Sequence, residues 1–354
     1  MRHKPLTWLI AILASILLIG VGMSQMPQFD TGTAEARGEE FAQLTDKFNA
    51  LKAKHEKLKA IWQAELLAQF VPTLADEPSA VKRQFLDFLR ELGTPSAAAL
   101  TEMLNDSSER VRRKAVDVLG AIGERERKAG RSTEAIAAGL AAALRDTSEK
   151  VRSEAIEELE DVHPTSPESV AIVVPALIES LHDSSERVRQ KAIEALGEIG
   201  EDMQKAGRNT DAIAIGLAAA LRDSAERVRR EALNELEDVR PTSTESLAVV
   251  IPALIERRTV GSSRERSELL DVLGGIGEKL AEKGQPTATI RDALIASLTD
   301  NSSKVRTNAI EELSDMHDNS AETLAALKSA LTDSSKSVRR AAQKAIQEIK
   351  KANQ

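Results

Sequence analysis

One phrase, Leu-x-Asp-Ser-Ser-Glu-x-Val-Arg-x-x-Ala-(Ile/Val)-x-x-Leu, recurs along the chain and constrains its fold more than any other feature. It begins at Leu104, Leu144, Leu181, Leu221, Leu298 and Leu331, with a weaker copy from Leu74 and an eroded one over 258–277. The Asp, or the residue in its place, stands at 76, 106, 146, 183, 223, 260, 300 and 333, so in the middle of the array the spacing alternates near 40 and 37 and gives a 77-residue super-repeat. Residues 106–182 and 183–259 agree at about two positions in three, which points to duplication of a two-repeat block. Periods of 20–50 residues mark a solenoid. Each unit is then too small to bury its own apolar stripe and is stable only against its neighbours.

Each unit carries the pattern of two helices. In the unit at Asp106, Asp106-x-x-Glu109 has the form of a capping box that starts a helix B at the Asp. Val111, Ala115, Leu119 and Ile122 then share one face. Gly130 marks its end, and Thr133 opens a dense Ala/Leu helix A. In the alternate unit His163-Pro164 stops helix B, and Ser166-Pro167-Glu168 restarts the chain with a cap and a Pro in the first turn. The expected fold is all-α: a right-handed α-solenoid of about eight two-helix repeats over residues 71–352. At about 10 Å per layer it would form an arc roughly 80 Å long.

These repeats resemble the HEAT-repeat superfamily, and most of all its bacterial branch, the HEAT-like repeats first described in phycobilisome lyases. Asp106, Val111, Arg112 and Ala115 with their repeats carry the resemblance, together with Leu-Gly-x-Ile-Gly at 119–123 and 196–200. It extends over about residues 70–350. The resemblance implies a structural ladder built from each Asp and the Arg six residues later. Its members are Asp106 and Arg112, Asp146 and Arg152, Asp183 and Arg189, Asp223 and Arg229, Asp300 and Arg306, and Asp333 and Arg339, with Arg266 in the eroded unit and Lys82 in the first. It also implies protein binding along a concave face lined by helix B.

The chain opens with Arg2, His3 and Lys4 ahead of an uncharged apolar run over 6–23. Eighteen residues at about 1.5 Å each come close to the hydrocarbon thickness of a bilayer. Residues 1–23 therefore form an N-terminal hydrophobic helix, acting as a signal-anchor or as a cleaved signal peptide. The basic flank would stay in the cytoplasm, and the rest would be exported across the cytoplasmic membrane. Residues 24–40 are a polar linker. Residues 41–70 form an amphipathic helix whose seam runs through Phe41, Leu44, Phe48, Leu51, His55, Leu58 and Trp62. That helix is either a cap on the first repeat or a short coiled coil.

Composition narrows the chemistry. With no Cys, thiolate zinc sites, disulfides and cysteine nucleophiles are excluded. The five His make no metal-type pair such as His-x-x-x-His, so no metal and no cofactor are expected. A net charge of −8 lies wholly beyond residue 88, and so do no Phe, Trp or Tyr at all. An acidic body without stacking aromatics argues against nucleic acid and against a tetrapyrrole site.

Two candidate surfaces remain. Four residues after each Asp stand Arg110, Lys150, Arg187, Arg227 and Lys304, with Arg113, Lys191 and Arg230 one turn on. Eleven after stand Asp117, Glu157, Glu194, Asn234 and Glu311. Stacking would align these as a basic and an acidic stripe, and basic residues early in a helix oppose its macrodipole. The second candidate is the eroded unit. There Val260 replaces Asp, Glu265 replaces Val, and Arg257, Arg258, Arg264 and Arg266 crowd together. Ser262-x-x-Glu265 offers a replacement cap, and the arginines offer an anion or partner pocket. The function expected is a non-catalytic protein-interaction scaffold, tethered to a membrane by its N-terminal segment, with a protein partner bound along the helix-B face. A lyase-type enzyme subunit and a purely structural envelope spacer are the alternatives.

Overall fold

The structure is a computed structural model that describes residues 71–352 apart from 75–78, 240 and 242. The hydrophobic segment 1–23, the linker and the amphipathic helix over 41–70 lie outside the described residues, as does the marker at 76. Among the described residues there are fifteen α-helices and no strand.

The B helices are α1 (Ser79–Leu92), α3 (Glu109–Lys128), α5 (Glu149–Val162), α7 (Glu186–Lys205), α9 (Glu226–Val239), α11 (Ser263–Glu282), α13 (Ser303–Asp315) and α15 (Lys336–Ala352). The A helices between them are α2 (Ala97–Met103), α4 (Glu134–Ala143), α6 (Pro167–Ser180), α8 (Asp211–Ala220), α10 (Thr244–Arg257), α12 (Ala288–Ser297) and α14 (Ala321–Ala330). Each B helix packs on its neighbouring B helices and, from α3 on, on the A helix that precedes it; the long ones α3, α7 and α11 also pack on the A helix that follows. The layers therefore follow chain order.

The repeated phrase places its apolar residues in one continuous core. Its Val is buried at Val111, Val151, Val188, Val228, Val305 and Val338, and its Ala at Ala115, Ala155, Ala192, Ala232, Ala309 and Ala342. The small Ala lets neighbouring helices approach, so a core without aromatics beyond Phe85 still closes.

Long B helices alternate with short ones because their ends differ. The long ones, α3, α7 and α11, each have 20 residues. They stop at Gly130, Gly207 and Gly284, all at φ 66°, a left-handed position open to Gly at little cost. The short helix α5 stops at His163, itself left-handed at φ 46°, ahead of a Pro.

One local expectation fails. Helix B does not begin at the Asp of the phrase. It begins three residues later, at Glu109 in α3, and Asp106 caps no helix. Its Oδ1 instead accepts the Ser108 N–H at 2.8 Å. The same short turn recurs at Asp146, Asp183, Asp223, Asp300 and Asp333. The turn leaves the carboxylate facing the preceding layer, where an Arg needs it.

Candidate interaction surface

The Arg of each phrase links three places. Arg112 donates from Nη1 to the backbone carbonyl of Asp106 in its own unit, at 2.8 Å. Its Nε and Nη2 donate to both carboxylate oxygens of Asp146 in the next unit, at 2.6 and 2.9 Å. Arg152 grips Asp183, Arg189 grips Asp223, Arg266 grips Asp300 and Arg306 grips Asp333 in the same two-pronged way. Lys82 opens the series on Asp106 at 2.6 Å. Arg339, in the last described unit, bonds back to the Asp333 carbonyl. Burial alone would raise the Asp183, Asp223 and Asp300 carboxyls. Hydrogen bonds from their Arg partners and from backbone N–H groups outweigh it and hold each below its ordinary value.

At the eroded unit the ladder continues by another route. Val260 offers no carboxylate, and Arg229 turns to Glu265 at 2.7 and 3.1 Å. Glu265 is only 2% exposed, and Arg257 also donates to it at 3.0 Å. The Ser262 hydroxyl accepts the Glu265 N–H at 3.2 Å, so α11 carries the replacement N-cap. Three of the four crowded arginines are engaged internally, Arg257 beside Arg229 on Glu265, Arg264 on Glu268 at 2.9 Å and Arg266 on Asp300, while the buried Nε of Arg258 has no hydrogen-bond partner. Arg257 and Arg258 sit at the turn between α10 and α11, away from the helix-B stripe.

The stripe residues behave unevenly. Arg113 bonds Glu154 across α3 and α5 at 2.5 Å. Lys191 pairs with Glu157 at 2.6 Å, with Arg187 3.6 Å from the same carboxylate. Arg230 grips Glu268 at 2.7 and 2.9 Å. Lys150 lies 3.9 Å from Glu109, and Asp117 accepts from Lys114 at 2.7 Å. The two stripes meet across layers at Glu157, while Arg113, Arg230 and Lys150 reach carboxylates outside the acidic stripe. Arg110 and Arg227 are exposed and form no ion pair among the described residues.

Sequence reasoning passed over a third set of residues. Glu158, Glu235 and Glu312 recur every 77 residues on α5, α9 and α13, the short B helices. Each lies across a glycine of the preceding long helix: Gly120, Gly197 or Gly274, where a Cβ would collide with the carboxylate. Each is half-buried among other acids. Burial, with repulsion from Asp117, Asp161, Glu154 and Glu157, pushes the Glu158 carboxyl up to about 7. Burial with repulsion from Glu231, Asp238, Glu194 and Glu198 takes Glu235 to about 8. For Glu312, burial with repulsion from Asp271, Asp315, Glu311 and Glu237 takes it to about 9. The signal was present in the sequence: Glu stands where the alternate units have Val118, Ala195 and Val272.

The helix-B face is also cut by clefts. A groove of about 500 Å³ crosses α11, α13 and α15 between Glu268, Asp271, Lys304, Asn308, Glu311 and Ser337. A cleft of about 320 Å³ opens between α9 and α11, walled by Leu236, Pro241, Val272 and Ile276 with Asp271 and Glu312 on its lining. Among the described residues no group of three or more His, Asp or Glu is arranged to hold a metal ion.

Solved structures similar to this chain include a computationally designed armadillo-repeat protein for modular peptide recognition. It has 20% identity over 61% of this chain and 98% of that one, with a TM-score of 0.41. An engineered protein has 18% identity over 72% and 97%, with a TM-score of 0.39. Human deoxyhypusine hydroxylase in complex with glycerol has 21% identity over 84% and 99%, with a TM-score of 0.32. No curated protein matches. A family profile for HEAT repeats matches residues 67–130, 137–237 and 251–347. With the repeat matched along most of its length, its layers in chain order and its Asp–Arg links between them, the chain belongs to the HEAT-repeat family.

Proposed function

We propose that this chain is a scaffold without catalysis of its own that captures a protein partner along the face of its B helices. The observation that carries the reading is the row of B helices, fastened layer to layer by Arg–carboxylate links, on which Arg110 and Arg227 stand exposed without ion partners among the described residues. Exposed charges of this kind steer association and set partner choice more than they add affinity. The apolar run over 6–23 with its basic flank supports export and a membrane tether for the same scaffold. No helix among the described residues is long and apolar enough to cross a membrane, so the tether rests on that segment.

The test is crosslinking in intact cells with the full chain, followed by identification of captured proteins. Replacing Arg110, Arg187 and Arg227 together with Glu should lower capture of a specific partner at least tenfold. None of the three belongs to the ladder, so the melting temperature should hold. Undiminished capture by the triple variant contradicts this face as the docking surface. Recovery of the whole chain in the cytosol, with none in a membrane or envelope fraction, contradicts the export reading.

A further inference from the structure

The joints between successive B helices alternate. Within each duplicated block, α3 with α5 and α7 with α9 pack closely, because glycines admit the short helix. Between blocks, α5 with α7 and α9 with α11 pack less extensively. Those two looser joints are built from equivalent residues 77 positions apart, yet they differ in open space. The α5–α7 cleft, lined by Leu159, Glu160, Pro164, Ala195, Glu198 and Ile199, holds about 10 Å³. The α9–α11 cleft holds about 320 Å³.

Three lining residues differ between the clefts: Ala195, Glu198 and Asp202 in the first stand where Val272, Gly275 and Lys279 stand in the second. A Cβ placed on Gly275 would meet nothing within 4 Å, so the missing side chain leaves open space rather than admitting a neighbour. The opened cleft has an apolar wall from Leu236, Pro241, Val272 and Ile276. Acids from three successive helices line it: Glu237 on α9, Asp271 and Glu278 on α11, and Glu312 on α13. Burial pushes the Asp271 and Glu312 carboxyls up, Asp271 adds to the rise of Glu312, and Asn308 Nδ2 donates to Asp271 at 2.6 Å. Lys279 at the rim is engaged with Glu282 at 2.8 Å. Apolar walls with carboxyl groups at one end suit an ammonium on an alkyl stem.

We propose that the cleft between α9 and α11, opened by Gly275, receives a lysine side chain from the protein partner. The site rests on the scaffold reading above and names the chemistry of one contact. Asp271 and Glu312 take the ammonium, while Val272, Ile276 and Leu236 pack along the stem. The equivalent cleft of the preceding block, filled around Glu198, does not bind.

The test uses the full chain, methyl-labelled and solubilised in neutral detergent, titrated with the blocked peptide Ala-Ala-Lys-Ala-Ala. The control peptide has norleucine for lysine, which keeps the stem and removes the charge. The lysine peptide should shift the Val272, Ile276 and Leu236 methyls in a saturable way. The methyls of Leu159 and Ile199 should stay in place, and the norleucine peptide should bind at least tenfold more weakly. Gly275→Glu restores the residue of the closed cleft. It should abolish the shifts without lowering the melting temperature, although it adds a negative charge. That outcome separates a built site from general attraction to an acidic surface. No saturable shift, equal shifts at both clefts, or binding undiminished in Gly275→Glu each overturn the proposal. The scaffold reading is judged separately, by the capture experiment with the Arg110, Arg187 and Arg227 variant.

Discussion

At the scale of single residues, the chain uses its charges in two opposite ways. The ladder carboxylates Asp183, Asp223, Asp300 and Asp333 are paired and favour the ionised form, whereas Glu158, Glu235 and Glu312, buried and crowded by like charge, favour the proton. Arg189 joins its own layer to Asp223 of the next through two bonds of 2.6 and 2.9 Å. Arg189→Ala would strand a largely buried carboxylate, and the expected loss is about 3 kcal/mol in denaturant unfolding. A loss below about 0.5 kcal/mol, the range of an ordinary surface change, would remove the ladder from the account of stability. Ser262→Ala removes the replacement cap of α11 and should cost about 1 kcal/mol by the same measurement. The acid set makes a separate prediction. Carboxyls held at about 7, 8 and 9 bind protons more tightly folded than unfolded, where the ordinary value is 4.5. Their contribution is whole below that ordinary value and is lost as pH rises through the folded values. The depressed carboxyls of Asp183, Asp223 and Asp300 act oppositely and lose their contribution in acid. The melting temperature should therefore be highest near pH 5 and lower at pH 9. Changing Glu158, Glu235 and Glu312 to Gln should remove most of that fall. Melting that is flat or rising from pH 5 to pH 9 would contradict the placement of these groups.

At the scale of elements, the glycines of the long B helices have unlike roles. Gly123 faces Val162, and a Cβ there would strike a β-branched side chain that cannot swing away. Gly275 faces open space. Alanine favours a helix over glycine by about 1 kcal/mol. Gly275→Ala should thus raise the melting temperature, whereas Gly123→Ala should lower it despite the same gain in propensity. Thermal melts of the two variants check this, and equal shifts would mean that the α3–α5 joint is not close-packed. Much of this level was legible in the sequence: helix ends at Gly130 and His163, the cap at Ser166, and the buried Val and Ala of each phrase. The start of helix B was misplaced. Asp106-x-x-Glu109 has the letters of a capping box, but a local motif cannot show that a lysine one layer back claims the carboxylate. The acids were missed for a related reason. Glu158 looks like any polar residue on a helix face until the glycine opposite it, 38 positions earlier, is seen to draw it inward. The rescue of the ladder by Glu265 was not legible near 260, because it requires knowing which residues lie in adjacent layers.

At the scale of the whole molecule, helix pairs pile up in chain order and present a single extended face. A chain with no Cys allows this to be measured directly, since introduced pairs are the only thiols. Asn105, His182, Thr259 and Thr332 are exposed and occupy the same place in their units, two, four and six layers apart counted from Asn105. Spin-labelled pairs joining Asn105 to each of the other three, measured by pulsed dipolar spectroscopy, report the growth of the stack. At about 10 Å per layer the separation should lengthen at every step, from roughly 20 Å toward 60 Å less the bend of the arc. A third distance no longer than the second, as in a chain folded back into a globule, would contradict the stack and the binding face built on it.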